Sequence, residues 1–250
     1  MFKKSILLSF FLAALFMVLG GVAQAEEKVY VNGIDFGFPP FGFVGKDGKP
    51  AGLDVEAVDW IAQKMGFKVK HQPMDWDGII PALTSKKIDL IASGMSATAE
   101  RAKIVNFTIP YFEVTQVLVV KKDMATPFKD LLTSGKKIGV QRGTVTNKLL
   151  EELVKKPEYK FELALYDSTD LSMEDVANGR IVASGMDSTI AAEMIKKPFK
   201  VAGTFDAPPE VYGYAVRKED KELLDKLNKG LEMLMKDPHW AELKKKYDVK

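Results

Sequence analysis

The sequence predicts an α/β fold laid out as two successive units. Three observations predict it. Short β-rich runs alternate with segments of helical period; the alternation halts at one long extended run, residues 111–121; and after that run it starts afresh.

The elements follow in order. Residues 29–34 read as a strand. From Asp54 the pattern changes, because Val58, Ile61, Ala62 and Met65 fall at i, i+3, i+4 and i+7, one face of a helix that Gly66 stops. Residues 67–71 read as a strand, 78–85 as a short helix and 88–92 as a buried strand. Residues 111–121 hold Val114, Val117, Leu118, Val119 and Val120, an extended run long enough to cross between units. Beyond it come a strand at 138–141, a helix at 144–154, a strand at 161–166, a helix at 173–177, a strand at 181–184 and a helix at 188–195. Two helices, 221–236 and 238–247, close the chain. No repeat of fixed period and no low-complexity linker appears.

The N-terminus has a different character. Lys3 and Lys4 precede a nearly all-apolar stretch from Ile6 to Leu19, and small residues lead to Ala25. This is the layout of a cleavable secretory signal over residues 1–25. The stretch is shorter than the roughly 20 residues a membrane span needs, so an anchor is the weaker reading. The chain has no cysteine, which removes disulfides, thiolate metal sites, a cysteine nucleophile and a cysteine-borne lipid anchor. Removing 25 residues from 250 leaves 225, room for one large domain or two of about 100 residues. Of 36 basic residues, Lys3 and Lys4 fall in the signal, so 34 remain against 34 acidic. That neutrality argues against a nucleic-acid partner, which normally draws a basic excess. His71 and His239 are far apart in sequence, so no metal site is expected. Gly135-Lys136-Lys137 lacks the frame of a phosphate loop, and Lys244-Lys245-Lys246 reads as a solvated helix face.

Four clusters carry more information. They are Asp35-Phe36-Gly37-Phe38-Pro39-Pro40-Phe41, Trp76-Asp77-Gly78-Ile79-Ile80-Pro81-Ala82-Leu83, the run from Ile88 through Gly94, Ser96 and Glu100 to Arg101, and Asn106-Phe107-Thr108-Ile109-Pro110-Tyr111-Phe112. In that order and spacing the chain resembles the periplasmic polar amino-acid-binding proteins of ABC importers, bacterial extracellular solute-binding protein family 3. Gly139-Val140-Gln141-Arg142-Gly143-Thr144, Asn178-Gly179-Arg180 and Met186-Asp187 extend the likeness over essentially the whole mature chain.

A free amino acid presents a carboxylate, an ammonium and a side chain, and its clamp needs a fixed cation, a fixed anion and a pocket. Arg101 is the candidate cation, since a guanidinium holds a carboxylate through two parallel hydrogen bonds; the alternative is a solvated charge beside Glu100. Ser96, five residues earlier on the same turn, can add a hydroxyl, and backbone donors near Gly143 and Thr144, opening a helix, suit the same anion. Asp187, between a strand and a helix, is the candidate anion for the ammonium; the alternative is a plain helix N-cap. Asp35 either meets a polar or positive ligand group or caps its own turn. Trp60 and Trp240 are assigned to packing.

The resemblance implies the rest. Phe38 and Trp76 would sandwich the ligand, Gly94 and Val145 would line its site, and Gln141 would face its distal end. Two departures stand out: Ile181-Val182-Ala183 is apolar where relatives carry an aspartate, which replaces a contact in the second lobe, and Val145 stands where a hydroxyl residue is common. The fold implied is the two-lobed periplasmic-binding-protein (Venus flytrap) type with two hinge strands, near 113–116 and 210–212. Residues 26–115 with 213–250 would form lobe I and residues 116–212 lobe II. The expected protein is a monomer without cofactor, free in the periplasm, that delivers a polar or cationic amino acid to a membrane ABC permease. A cyclohexadienyl dehydratase-like enzyme on the same fold, or a module presenting its ligand to a sensory receptor, are the alternatives.

Overall fold

The computed structural model describes residues 28–196 and 198–249; the expected signal, residues 1–25, lies outside the described residues. β1 (Val29–Ile34) opens the chain. A small antiparallel sheet follows, made of β2 (Gly37–Phe38), β3 (Gly42–Val44) and β4 (Pro50–Ala51). The helix Leu53–Met65 then buries Leu53, Val55, Ala57, Val58, Ile61 and Ala62, the stripe that the helical spacing marks. Each large apolar side chain so buried contributes about 1.5–3 kcal/mol. β5 (Lys68–Pro73) returns parallel to β1, with Val29 opposite Lys68 and Ile34 opposite Pro73.

After a 3₁₀ turn at Trp76–Gly78 and the helix Ile79–Thr84, β6 (Leu90–Ile91), β7 (Asn106–Phe107) and, from the far end of the chain, β15 (Ala215–Val216) complete a five-stranded sheet of order β5-β1-β6-β15-β7. The second five-stranded sheet has the order β11-β10-β12-β9-β13. It is built from β9 (Gln116–Lys121), β10 (Lys137–Gln141), β11 (Glu162–Tyr166), β12 (Ala183–Asp187) and β13 (Phe199–Thr204). Helices Phe128–Leu131, Val145–Val154, Thr169–Asn178 and Ser188–Met194 lie between its strands in sequence. Helices Lys221–Lys236 and Pro238–Lys246 end the chain, and Gly230 of the first of them leaves no room for a Cβ, which would stand 2.4 Å from Ile61.

Two strands join the halves. β8 (Phe112–Val114) and β14 (Glu210–Tyr212) pair antiparallel, with Glu210 opposite Val114 and Tyr212 opposite Phe112, as a ribbon separate from both large sheets. The extended run at 111–121 is therefore two strands, hinge and sheet, broken at Thr115.

Other differences from the sequence reading have physical causes. The helix expected at 173–177 begins earlier, at Thr169, because the Ser168 hydroxyl accepts the Leu171 N–H as its cap. The strand expected at 181–184 is displaced to Ala183–Asp187, which carries Asp187 onto a strand end. β13 went unread: its register shifts between Val201 and Gly203, which spoils the alternation a strand reading needs.

Candidate functional site

The two lobes meet face to face across a cleft. Phe38, Trp76, Gly94, Ser96 and Arg101 line it from the first lobe, and Gln141, Thr144, Val145 and Asp187 from the second. Nine of the ten residues expected to bind ligand are thus brought together. Asp35 is the exception. It does not line the cleft but stands behind it, its Oδ2 accepting from Gln141 Nε2 at 2.9 Å and its Oδ1 from the Gly37 N–H at 2.8 Å. Turn capping is realised, and the other oxygen meets Gln141 of the opposite lobe, a contact not expected from the sequence.

Arg101 sits in the 3₁₀ turn Arg101–Lys103 and is only 8% exposed, which excludes the solvated-charge reading. Nη1 donates to the Ser96 carbonyl at 3.0 Å and Nη2 to the Gly143 carbonyl of the other lobe at 3.1 Å. Its guanidinium carbon lies 5.3 Å from the Trp76 ring centre. A guanidinium has five N–H donors, so three remain for an anion. Ser96 is not on the same turn as expected; it bridges to Tyr212 of the hinge ribbon and meets Arg101 through its carbonyl. Burial lowers the Arg101 pKa, and the charges of Asp187 and Glu210 act against that fall.

Asp187 occupies a helix N-terminus, yet its side chain makes no cap bond there, so the plain N-cap reading is set aside. Its carboxylate instead accepts from Tyr212 Oη at 2.5 Å and Gln116 Nε2 at 3.3 Å. Burial pushes its pKa up, and Tyr212, Gln116 and the Arg101 charge hold it down. Neither Tyr212 nor Gln116 is a sequence-read ligand residue: the hinge ribbon brings Tyr212 to Asp187, and the β12–β9 pairing sets Gln116 directly opposite it.

The anion donors are also corrected in part. Thr144 caps the helix Val145–Val154, its hydroxyl accepting the Asn147 N–H and donating to the Gln141 carbonyl at 2.8 Å. The Gly143 N–H is taken by Asn147 Oδ1 at 3.0 Å, so Gly143 offers its carbonyl and not its amide. First-turn amides lack acceptors within their helix, and this leaves Thr144, Val145 and Thr146 as donors. Thr146 also lines the cleft, and its hydroxyl oxygen is buried without a hydrogen-bond partner.

Phe38 and Trp76 lie parallel, 10° between planes, with ring centres 6.2 Å apart. A flat group placed between two rings needs about 7 Å, twice the van der Waals contact of roughly 3.5 Å. The two rings present nearly parallel faces at the cleft.

Asp35 stands behind the Gln141 side of the cleft. Gln141 spends both amide N–H groups on Asp35 and on the Asp167 carbonyl (3.2 Å), while its Oε1 accepts from Thr169. What Gln141 has left is acceptor capacity. Burial raises the Asp35 pKa, and the nearby charges of Asp75 and Asp170 raise it further, against the hydrogen bonds from Gln141 and Gly37.

Gly94 is fixed from beneath. It has φ +57°, and a Cβ there would come within 2.5 Å of Phe38, so only glycine fits. Its N–H donates to Oδ2 of the fully buried Asp54 at 2.6 Å, and Tyr111 Oη donates to the same oxygen at 2.9 Å. Burial drives the Asp54 carboxyl up to about 7. A carboxyl raised in the folded state favours folding most at acid pH, and that contribution is lost as pH rises from about 4 through 7. The shift corresponds to roughly 4 kcal/mol. Asp54→Asn is therefore expected to remove a fall in unfolding free energy of that order between pH 4 and 8, read as the difference between parent and variant in urea titrations at several pH values. Equal pH slopes in the two proteins would contradict it.

The remaining assignments are placed as follows. Trp240 is buried in the core, and Trp60 stacks on His239 at 6.3 Å. His71 contacts Asn32 and Asp59. Among the described residues no group of His, Cys, Asp and Glu could hold a metal ion, and no helix is long and apolar enough to cross a membrane. Arg180 pairs at 2.8 Å with Asp175 of the preceding helix, which supplies its anion in place of a residue at 181–183.

Two lobes on a paired-strand hinge, closing over an arginine from one side and an aspartate from the other, define a clamp for a small solute. Comparison with known proteins agrees. Residues 30–250 match the family of bacterial extracellular solute-binding proteins, family 3, and the chain belongs to it. It is 33% identical over 238 residues to the ABC transporter arginine-binding protein 1 of Escherichia coli K12, spanning 93% of this chain and 95% of that one. An ancestral arginine-binding protein bound to arginine is 38% identical with a TM-score of 0.80, covering 88% and 98% of the two chains. An ancestral amino acid-binding protein, a precursor of cyclohexadienyl dehydratase, is 34% identical with a TM-score of 0.81 over 88% and 95%.

Proposed function

We propose that this protein captures a free amino acid with a cationic side chain in the periplasm, as a monomer, and delivers it to the permease of an ABC importer. The carrying observation is that Arg101, Asp187 and the first-turn amides line one cleft, with the Asp35 carboxylate behind its Gln141 side. A carboxylate and an ammonium match the lining, and the Asp35 carboxylate behind it favours a cation on the side chain. The names of the similar arginine-binding proteins support it.

Phe38, Trp76, Ser96 and Arg101 receive the ligand on lobe I (residues 26–115 and 213–250), and lobe II (116–212) then swings in with Asp187, Thr144 and Val145. Closure is driven by contacts that both lobes make with one ligand. No catalytic step is assigned, because the paired Arg101 and Asp187 serve to hold a zwitterion; absence of prephenate and arogenate turnover is the expected assay result.

A thermal-shift screen of refolded, ligand-stripped protein against the common amino acids tests the assignment. Arginine or lysine is expected to give the largest rise, since ligand at a hundred times its Kd adds about 2.7 kcal/mol. A response confined to acidic or aliphatic amino acids would overturn it.

A further inference from the structure

The hinge ribbon carries a carboxylate that the clamp described so far does not use. Glu210 stands in β14 two residues before Tyr212, and residues two apart on a strand share a face. Tyr212 reaches Asp187 from that face, so Glu210 is carried on the side of the ribbon turned to the cleft. Its carboxylate faces the Ser96 hydroxyl and the charges of Asp187 and Arg101. Its Oε2 is buried without a hydrogen-bond partner. Buried polar oxygens are normally paired, and Glu210 lines the groove outside the cleft. From the helix Val145–Val154, Lys148 and Glu152 line the groove on its outer side, and Lys148 is already paired with Glu100. One cation, Arg101, thus faces two anions at the end of the cleft where the ligand's amine arrives.

Ser96 lines the cleft and Glu210 does not, so Glu210 acts through Ser96. A serine hydroxyl has one proton and two lone pairs. If the proton points to a carboxylate, the lone pairs are left for a donor on the other side. We propose that Glu210 is a positioning residue that determines specificity for the ligand's amine: it holds the Ser96 proton, turns the Ser96 oxygen toward the α-ammonium, and with Asp187 makes that end of the cleft doubly anionic. This rests on the reading that the α-ammonium lies beside Asp187. The arrangement is titratable. Burial pushes the Glu210 carboxyl up, the Ser96 hydroxyl holds it down, Asp187 adds to the rise and Arg101 opposes it. Protonation in acid cancels the second anion, so amine binding weakens there.

The test is calorimetry on the full chain with L-arginine and its deaminated analogue, 5-guanidinopentanoate, between pH 5 and 8. Glu210→Gln is expected to weaken arginine roughly tenfold, the loss of a charge-assisted contact, to leave the analogue within about twofold, and to flatten the acid side of the arginine pH profile. Ser96→Ala should show the same loss of amine preference, and the double variant should be no worse than Ser96→Ala alone; Ser96→Ala also serves if Glu210→Gln does not fold. Equal weakening of both ligands, additive losses in the double variant, or an unchanged preference would overturn the proposal. Asp187→Asn separates the two levels. If it abolishes amine preference while Glu210→Gln leaves it intact, Glu210 alone is refuted; if it too leaves the preference intact, the ligand orientation is wrong and both readings fall.

Discussion

Replacing Arg101 with alanine is expected to weaken arginine binding by about 2–5 kcal/mol, the range for truncating one partner of a buried charge pair. The residue is 8% exposed and already ties Ser96 to Gly143 across the cleft. Its loss removes both the cation for the carboxylate and one of the bonds that hold the lobes together. Arg101→Lys keeps the charge but not the planar fork, and should recover only part of the loss. Unliganded stability should change little, because deleting the side chain also deletes a buried charge. Calorimetric affinity within threefold of the parent would refute the assignment.

Asp187→Ala should weaken binding by a similar amount and, unlike Arg101→Ala, leave a docked but open complex. Asp187 lies on β12 of the second lobe, while Phe38, Trp76 and Arg101 line the cleft from the first. Removing it takes an anion from the ligand's ammonium and the partner from Tyr212 and Gln116, so the swinging lobe loses its reason to close. Small-angle scattering at saturating arginine reads this directly: the parent compacts and the variant does so less. Full compaction of a weakly binding variant would show that Asp187 is not a closure contact. A parent that binds without compacting would refute hinge closure itself.

The sequence exposed the parts of this machine that depend on residue type and spacing. Val58, Ile61 and Ala62 announce a buried helix face, and Arg101 and Asp187 stand out because few side chains suit a zwitterion. What stayed hidden depends on pairing between distant segments. Tyr212 comes to Asp187, and Glu210 to Ser96, only because β14 lies against β8, almost a hundred positions earlier. The engagement of Asp35 with Gln141 is of the same kind. β7 and β15 are two-residue strands, too short for any period to show. The role of Gly143 was misjudged because a helix-opening sequence suggests amides, whereas Asn147 takes its amide and leaves the carbonyl facing the first lobe.

That carbonyl accepts from both Trp76 Nε1, at 3.2 Å, and Arg101 Nη2, at 3.1 Å. The handshake between the lobes is thus made to a main-chain atom, which no side-chain replacement on the second lobe can delete. Selection can therefore rewrite Val145 or Thr169 to suit a new solute while the latch they surround goes on working, so that part of how the clamp shuts is heritable separately from what it holds.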